Sequence, residues 1–242
     1  MRNTDAGRGL RHESVSMSRR TLVAGSLALA VVVAGALVAI FALRSSPAPP
    51  RAALVGETAV ASMLRGVPQH GTALGSPTAP VTLLEFADPQ CPYCGTWERD
   101  ALPEIVAGYV RPGKLRIVFE GMAFLGVDSG TALRTALAAA AQNRFWNVIA
   151  LLYENQGVEN TGWVTDSLLH AIGGAVPGLD TTRMLADRNS TAVGDAVTAS
   201  ASLAQQTGVN ATPSFALSRK GGPLQVVDAA GLTAALDAAL AR

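Results

Sequence analysis

The chain of 242 residues carries 19 basic and 18 acidic side chains, and 49% of its residues are hydrophobic. This length fits one globular domain that buries its own core, together with a short additional segment. Charge is unevenly divided: residues 1–44 hold six Arg against two acidic residues (+4), whereas residues 45–242 hold 13 basic and 16 acidic residues (−3). A mildly acidic domain lacks the basic surface that nucleic-acid binding requires, so nucleic acid is excluded as a partner.

A long apolar run near the N-terminus predicts a single transmembrane anchor. Residues 21–43 contain no charged side chain and are flanked by arginines. A helix of that length is about 34 Å long, and the hydrocarbon core of a bilayer is about 30 Å thick. Five arginines precede the run, so the positive-inside rule places residues 1–20 in the cytoplasm. We therefore expect a single-pass protein of the cell membrane whose remaining residues lie outside the cytoplasm.

Two alternatives to a permanent anchor remain open at this point. A cleaved signal peptide has an apolar core of about 7–15 residues, which is shorter than this run. Residues 18–23 (SRRTLV) also resemble the start of a twin-arginine signal. No cysteine lies near the end of the run, which excludes lipoprotein processing. Each of these alternatives exports the domain.

After the anchor, the sequence predicts a linker and then the first half of an α/β domain. Residues 44–67 form the linker, which begins with a Pro- and Ser-rich stretch that cannot continue a helix. The domain occupies residues 68–242. The elements predicted in this part are a short helix at 57–65, an edge strand at 72–74, a strand at 81–87, a helix at 91–110 and a strand at 114–119.

The second half is a helical block followed by a return to the sheet. Residues 129–206 are rich in Ala and Leu with helical spacing and predict an inserted helical subdomain. The elements predicted here are helices at 129–154, 165–172, 180–188 and 191–206, a hairpin of strands at 214–217 and 224–227, and a closing helix at 231–241. The order β-α-β, helical block, β-β-α indicates a split sheet interrupted by helices.

The two cysteines, Cys91 and Cys94, stand three positions apart where a predicted strand gives way to a predicted helix. Free backbone N–H groups and the positive end of the helix dipole favour a thiolate at Cys91, and a thiolate is the species that attacks disulfides. Pro92 suits the first helical turn, since its missing N–H costs nothing there, and Tyr93 completes the motif. The spacing predicts a redox-active pair that needs no cofactor.

Other roles for the cysteine pair have less support. A zinc site needs about four ligands, and the chain offers only His12, His70 and His170 as nitrogen ligands. His12 falls in the predicted cytoplasmic tail, so no metal is predicted. We expect His70 to lie in a loop and His170 on a helix surface. A purely structural disulfide is a further alternative, but it would close so short a loop that it stabilises the fold little.

A second motif, VNATPSF at residues 209–215, places Pro213 just before a predicted strand. Together with EFADPQCPYC and the long helical stretch, it resembles the DsbA-like branch of the thioredoxin superfamily, over about residues 68–242. The resemblance implies a thioredoxin-like fold in which Pro213 is a cis-proline beside the cysteines and the backbone of Thr212 pairs with substrate. Without that resemblance, a trans bond in an ordinary turn is the expectation.

The resemblance also implies a role for Glu85, which lies six residues before Cys91 on a predicted strand. Related domains hold a buried acid under the second cysteine at this position. An acid there with a raised pKa can accept and return the proton of Cys94. The alternative is a strand carboxylate that reaches solvent. Trp97 is expected to pack rather than to take part in chemistry.

The implied function is that of an extracytoplasmic thiol–disulfide oxidoreductase that oxidises cysteine pairs of exported proteins. Cys91 forms the mixed disulfide and Cys94 resolves it. A reductase or isomerase is the alternative, because the Pro-Tyr dipeptide also occurs in glutaredoxins and does not settle the direction of electron flow. A non-catalytic, membrane-tethered binding module is an alternative of a different class. The expected partners are exported proteins with cysteines and a quinone-linked membrane oxidase.

Overall fold

The computed structural model describes residues 54–220 and 222–241. The predicted cytoplasmic tail (1–20), the predicted transmembrane anchor (21–43) and the first part of the predicted linker (44–53) lie outside the described residues. Among the residues that are described, no helix combines the length and the apolar character needed to cross a membrane.

A six-stranded mixed sheet forms the centre of the described domain, with the strand order β1-β2-β4-β3-β5-β6. β3 and β4 run parallel, and every other neighbouring pair is antiparallel. The strands are β1 (Gln69–His70), β2 (Ala73–Leu74), β3 (Val81–Ala87), β4 (Leu115–Gly121), β5 (Ser214–Arg219) and β6 (Gln225–Val227). β3 has the bounds predicted from the sequence, and β4 ends two residues later than predicted.

The two parallel strands at the centre of the sheet are deeply buried. β3 (VTLLEFA) and β4 (LRIVFEG) consist mainly of large apolar and β-branched residues, which is typical of strands that are covered on both faces. The register pairs Glu85 with Phe119 on one side and with Phe215 on the other. The carboxyl end of β3 is therefore held between two neighbouring strands, and the cysteine motif begins just beyond it.

The helical stretch after β3 is interrupted by a proline. The single helix predicted at 91–110 consists of α2 (Pro92–Asp100), α3 (Leu102–Ile105) and a π-helical turn (Val106–Val110). Pro103 has no N–H to donate to the carbonyl of Arg99, so the α-helical ladder cannot run through this point. The helical character of the prediction is confirmed, and its continuity is wrong.

The inserted helical subdomain is confirmed. Its helices are α4 (Val127–Ala140), α5 (Phe145–Glu154), α6 (Asp166–Ala175), α7 (Thr181–Asp187) and α8 (Thr191–Thr207). The single helix predicted at 129–154 is wrong, because the chain turns between α4 and α5. Asn143 in that turn has a φ of 54°, a left-handed conformation that a right-handed helix cannot include. The turn lets Phe145 and Trp146 pack against Phe119 of β4.

The ends of the sheet differ from the prediction in one place. The strand predicted as an edge at 72–74 is β2, which lies between β1 and β4, and β1 is the edge strand. A strand of two residues shows no alternation, so β1 leaves no pattern in the sequence. The hairpin of β5 and β6 is confirmed. So are the short helix before the domain, α1 (Glu57–Leu64), and the closing helix, α9 (Leu232–Leu240).

Gly75, which follows β2, offers a test of this packing. Its φ is 103°, and a Cβ placed there would lie 2.8 Å from the backbone oxygen of Leu115. We expect Gly75→Ala to lower the free energy of unfolding by at least about 2 kcal/mol, because strain and a backbone clash add. Gly66 is the matched control, since its φ is also positive but a Cβ there meets nothing within 4 Å. Gly66→Ala should cost only about 1 kcal/mol. Equal losses in urea unfolding would contradict the packing of Gly75.

Candidate active site

The turn between β3 and α2 is held by one buried carboxylate. Asp88 follows β3 directly and is fully buried. Its carboxylate accepts hydrogen bonds from the hydroxyl of Ser129 and from the backbone N–H groups of Gln90 (2.8 Å), Phe124 (3.0 Å) and Leu125 (3.1 Å). Hydrogen bonds to an ionised acceptor are stronger than neutral ones. They tie the end of β3 to the loop after β4 and to α4, so the start of α2 is held in one place.

The other side of the same turn is held by α5 and the residues that follow it. The hydroxyl of Tyr153 donates to the carbonyl of Asp88 (3.1 Å), and the side-chain amide of Gln156 donates to the carbonyls of Pro89 (2.9 Å) and Cys91 (3.0 Å). Asp88, Tyr153 and Gln156 are not among the residues predicted from the sequence. No local pattern marks Tyr153 or Gln156, because each lies 65 residues along the chain from a group that it contacts.

Both cysteine sulfurs lie at the start of α2, as the sequence predicted. Cys91 is the N-cap residue, its sulfur accepts a hydrogen bond from the N–H of Cys94 at 3.4 Å, and Pro92 occupies the first turn of the helix. Cys91 is 4% exposed and Cys94 is completely buried, and both are free thiols in this structure. Beside them Tyr93 is 75% exposed. A partner's sulfur therefore reaches Cys91 before it reaches Cys94.

The two thiols differ strongly in acidity. The pKa of Cys91 is lowered to about 6 by hydrogen bonds that stabilise its thiolate. The donors are the thiol of Cys94, the side chain of Thr212 and the backbone N–H groups of Cys94 and Tyr93, and together they outweigh burial, which raises the pKa. Burial, followed by the neighbouring sulfur of Cys91, raises the pKa of Cys94 well above that of an ordinary thiol. Near neutral pH Cys91 is mostly a thiolate, and Cys94 keeps its proton.

The segment that precedes β5 lies against the first sulfur. The peptide bond between Thr212 and Pro213 is cis, as the family resemblance implied. The carbonyl of Thr212 lies 3.4 Å from the sulfur of Cys91, within reach of its S–H group. The structure thus brings together residues that are about 120 positions apart in the chain. Trp97 packs its ring against Phe215, with ring centroids 4.9 Å apart, which agrees with the expected packing role.

Glu85 lies inside the domain and not at its surface. Its side chain is completely buried, so the alternative of a carboxylate that reaches solvent is wrong. Glu98 is 4% exposed, lies one helical turn after Cys94 on α2, and has its carboxyl group beside that of Glu85. Burial, and then the neighbouring Glu98, raises the pKa of Glu85. Glu98 is not among the residues predicted from the sequence, although its spacing of four residues from Cys94 places both on one helix face.

His12 lies outside the described residues, and neither of the two described histidines takes part in this site. His70 lies on β1, not in the expected loop, and its side chain is exposed. His170 is exposed on α6, as expected. Within residues 54–220 and 222–241, no group of three or more His, Cys, Asp or Glu side chains is arranged to hold a metal ion.

Comparison with known proteins assigns this arrangement to a family. The sequence model of the family described as Thioredoxin matches residues 68–237, which is more than half of the chain. This chain belongs to the thioredoxin family. A family relative from Bacillus cereus, described as a probable disulfide bond formation protein D, is 32% identical over 145 residues, which cover 59% of this chain and 67% of the relative.

Solved structures share the fold of this chain. BdbD from Bacillus subtilis matches with a TM-score of 0.61 at 21% identity, over 73% of this chain and 98% of the other. Alpha-DsbA1 from Wolbachia pipientis matches with a TM-score of 0.58 at 20% identity, over 74% and 92%. Both show the same thioredoxin-like fold with a helical insertion. The family model, the Bacillus cereus relative and this shared fold together make the chain a DsbA-like thiol–disulfide oxidoreductase, which confirms the resemblance seen in its sequence motifs.

Thr212 provides a test of how the thiolate is stabilised. We expect Thr212→Val to raise the pKa of Cys91 by about 0.5–1, because one net hydrogen bond is worth about 1 kcal/mol and a pKa unit about 1.4 kcal/mol. The ultraviolet absorbance of the thiolate, followed against pH in the reduced protein, measures this change. Thr198→Val, at an exposed position on α8, is the matched control and should leave the titration unchanged. An unaltered pKa in Thr212→Val would contradict the assigned role of Thr212.

Proposed function

We propose that this protein oxidises cysteine pairs of exported proteins by disulfide exchange through Cys91 and Cys94. The observation that carries the proposal is the stabilised thiolate of Cys91 at the start of α2, with a pKa of about 6. A stabilised thiolate favours the reduced form of the pair, and a protein whose reduced form is stabilised is a strong oxidant. The name of the Bacillus cereus relative, a probable disulfide bond formation protein, supports the same direction.

The reaction proceeds by two exchanges that balance in atoms and electrons. A substrate thiolate attacks the sulfur of Cys91 in the Cys91–Cys94 disulfide, which forms a mixed disulfide and releases the sulfur of Cys94. A second substrate thiolate then attacks the substrate sulfur of that mixed disulfide. The substrate leaves with a new disulfide, and Cys91 leaves as a thiolate. Two electrons pass from the substrate to the protein, and Cys94 gains a proton.

Three further residues serve these exchanges in the proposal. The extended substrate chain pairs with the backbone of Thr212, next to Pro213, which is supported by the position of that segment against Cys91. Glu85 exchanges the proton of Cys94, which is supported by its burial and its raised pKa. A raised pKa lets a buried acid keep its proton to a higher pH, which is the property that such a donor needs.

The setting of the reaction belongs to the proposal as well. The apolar run at 21–43 and the arginines before it support a single-pass anchor, with the catalytic domain outside the cytoplasm. An oxidase that has become reduced must be reoxidised, and a quinone-linked oxidase in the same membrane is the proposed electron acceptor.

The reduction potential of the cysteine pair decides between an oxidase and a reductase. We expect a value well above that of thioredoxin, which is about −270 mV, because the thiolate of Cys91 stabilises the reduced form. Equilibration with mixtures of reduced and oxidised glutathione, followed by tryptophan fluorescence, measures the potential. A value near that of thioredoxin would point to a reductase and would reject the proposed direction.

A resolving-cysteine variant tests the exchange itself. In Cys94→Ala the thiolate of Cys91 still attacks a disulfide of an exported protein, which forms a mixed disulfide and releases one thiolate of that protein. The attack by Cys94 that would release this mixed disulfide is lost, so adducts with exported proteins should accumulate. Non-reducing electrophoresis of the purified variant detects these adducts, which must disappear on reduction. Cys91→Ala is the matched control and should trap none, because Cys94 is completely buried. If Cys94→Ala also traps none, the chain is a binding module and not an enzyme.

A further inference from the structure

The side-chain amide of Gln156 bridges two carbonyls in the turn that leads into the reactive cysteine. Gln156 follows α5 in the helical insertion, and its amide nitrogen donates to the carbonyls of Pro89 (2.9 Å) and Cys91 (3.0 Å). An amide group carries two N–H donors, so one side chain can serve both carbonyls. Pro89 and Cys91 are both buried, where a backbone carbonyl requires such a partner. The bridge therefore fixes the backbone on both sides of Gln90.

This bridge bears directly on the sulfur of Cys91. The sulfur accepts the N–H of Cys94 at 3.4 Å while the backbone of Cys91 is extended, with φ −65° and ψ 118°. Rotation about ψ moves the sulfur relative to the carbonyl of the same residue and to the N–H groups of the helix. The bridge holds that carbonyl and so limits the rotation. The N–H groups of the amide also direct their positive ends toward the turn, which favours a negative sulfur.

Gly95 is the residue of α2 that lets the amide approach. It is buried inside the helix, one position after Cys94, where glycine is less favourable than alanine. A Cβ placed there would lie 2.4 Å from the Oε1 atom of Gln156 and 2.9 Å from a guanidinium nitrogen of Arg99. Both distances are too short for a real Cβ contact, so an alanine at this position requires the amide to move. The close approach of Gln156 therefore explains a glycine inside the helix.

Asn155 holds Gln156 in place for this bridge. It is the residue that caps the end of α5, and its side-chain amide donates to the carbonyls of Leu151 (2.8 Å) and Val55 (3.1 Å). Its Oδ1 atom accepts the N–H of Val55 at 2.9 Å. This reciprocal pair fastens the segment before α1 to the end of α5, one residue before Gln156. The backbone of Gln156 is thus held both by α5 and by the start of the described domain.

We propose that Gln156 is a positioning residue for disulfide exchange, which sets the oxidising strength of the cysteine pair by holding the backbone of Cys91. Gly95 admits the bridge, and Asn155 holds it. The inference rests on the proposed function, because a stable thiolate at Cys91 is what favours the reduced form of the pair. When the bridge is lost, the turn relaxes and the thiolate loses part of its hydrogen bonding. The protein then becomes a weaker oxidant.

The first test removes the bridge. In Gln156→Ala we expect the pKa of Cys91 to rise by about 0.5–1, which corresponds to the loss of about one net hydrogen bond. The ultraviolet absorbance of the thiolate in the reduced full-length protein, followed against pH, measures this change. Gln142 is the matched control, since its amide donates to the carbonyl of Asp180 (3.1 Å) elsewhere in the insertion. Gln142→Ala should leave the titration unchanged, and an unchanged pKa in Gln156→Ala would overturn the proposal.

The pH dependence of the redox equilibrium separates positioning from general damage to the fold. A lowered thiol pKa stabilises the reduced pair above that pKa, and the stabilisation is lost as the pH falls through it. The pKa of Cys91 is about 6. Gln156→Ala should therefore shift the equilibrium with glutathione toward the disulfide by roughly three- to tenfold at about pH 8, and hardly at all at about pH 5. A shift of equal size at both pH values would overturn the proposal.

Failure of this inference is distinguishable from failure of the proposed function. The proposed direction of electron flow depends on the reduction potential of the wild-type protein. The role of Gln156 depends on the difference between the variant and the wild type, which is measured whatever the wild-type value is. A wild-type potential near that of thioredoxin would reject the oxidase and leave the role of Gln156 standing, whereas equal potentials at about pH 8 would do the reverse.

The second test displaces the bridge without changing Gln156. Gly95→Ala should raise the pKa of Cys91 as Gln156→Ala does, because the added Cβ pushes the amide away. In the double variant the pKa should equal that of Gln156→Ala alone, since no amide is left to displace. Gly194→Ala is the matched control, in α8, where a Cβ meets nothing within 4 Å. Additive pKa shifts in the double variant, or no shift in Gly95→Ala, would overturn the role of Gly95.

The third test loosens the support of the bridge. Asn155→Ala removes the side-chain hydrogen bonds at the end of α5, so the pKa of Cys91 should rise, but by less than in Gln156→Ala. Combined with Gln156→Ala it should add nothing to the pKa shift. Asn147 lies on the same helix and accepts a hydrogen bond from the side chain of Gln69 (2.9 Å), so Asn147→Ala is the matched control. A pKa in Asn155→Ala equal to that of Asn147→Ala would overturn the role of Asn155.

Discussion

The rest of the site depends on one interaction, which is the stabilisation of the negative charge on the sulfur of Cys91 by the start of α2. The groups that lower the pKa of Cys91 are the thiol of Cys94, the side chain of Thr212 and two backbone N–H groups. None of them is a charged side chain. Fixed dipoles next to a partly buried sulfur are screened little by salt, so the acidity of this thiol is a property of the fold.

Such stabilisation requires that α2 begin at one place with one orientation, and the tertiary structure provides this. The buried carboxylate of Asp88 collects donors from the loop after β4 and from α4, and Gln156 binds carbonyls on both sides of the turn. The helical insertion therefore does more than cover the sheet. It supplies Ser129, Tyr153 and Gln156, whose hydrogen bonds hold the turn before the cysteines.

The difference in burial gives the two sulfurs different roles. Cys91 keeps a small exposed surface and a low pKa, so it meets the partner, whereas Cys94 is closed off and keeps its proton. Because Cys94 is completely buried, a proton that its sulfur gains or loses has to pass through neighbouring groups. The two acids beneath it weaken the core, because polar groups without partners are unfavourable there. Active sites commonly retain groups that lower the stability of the fold, because activity requires them.

The sequence was sufficient to predict those elements whose structure is decided by residues close together in the chain. The bounds of β3, the helix start at Pro92, the helical insertion and the β5–β6 hairpin follow from periodicity and from proline and glycine positions. The family motifs further identified Pro213, whose cis bond the structure confirms. These features depend on backbone preferences that act within a few residues.

The contacts between distant segments were decided only by the tertiary structure. The position of Glu98 beside Glu85, and the hydrogen bonds of Tyr153 and Gln156 to the turn, depend on packing across 13 to 65 residues of chain. The break between α4 and α5 belongs to the same class, because it serves the packing of Phe145 on Phe119. The secondary-structure propensity of a segment does not indicate which distant side chain will pack against it. The sequence by itself therefore determined the fold class and the reactive pair, and packing decided how charge and protons are managed around them.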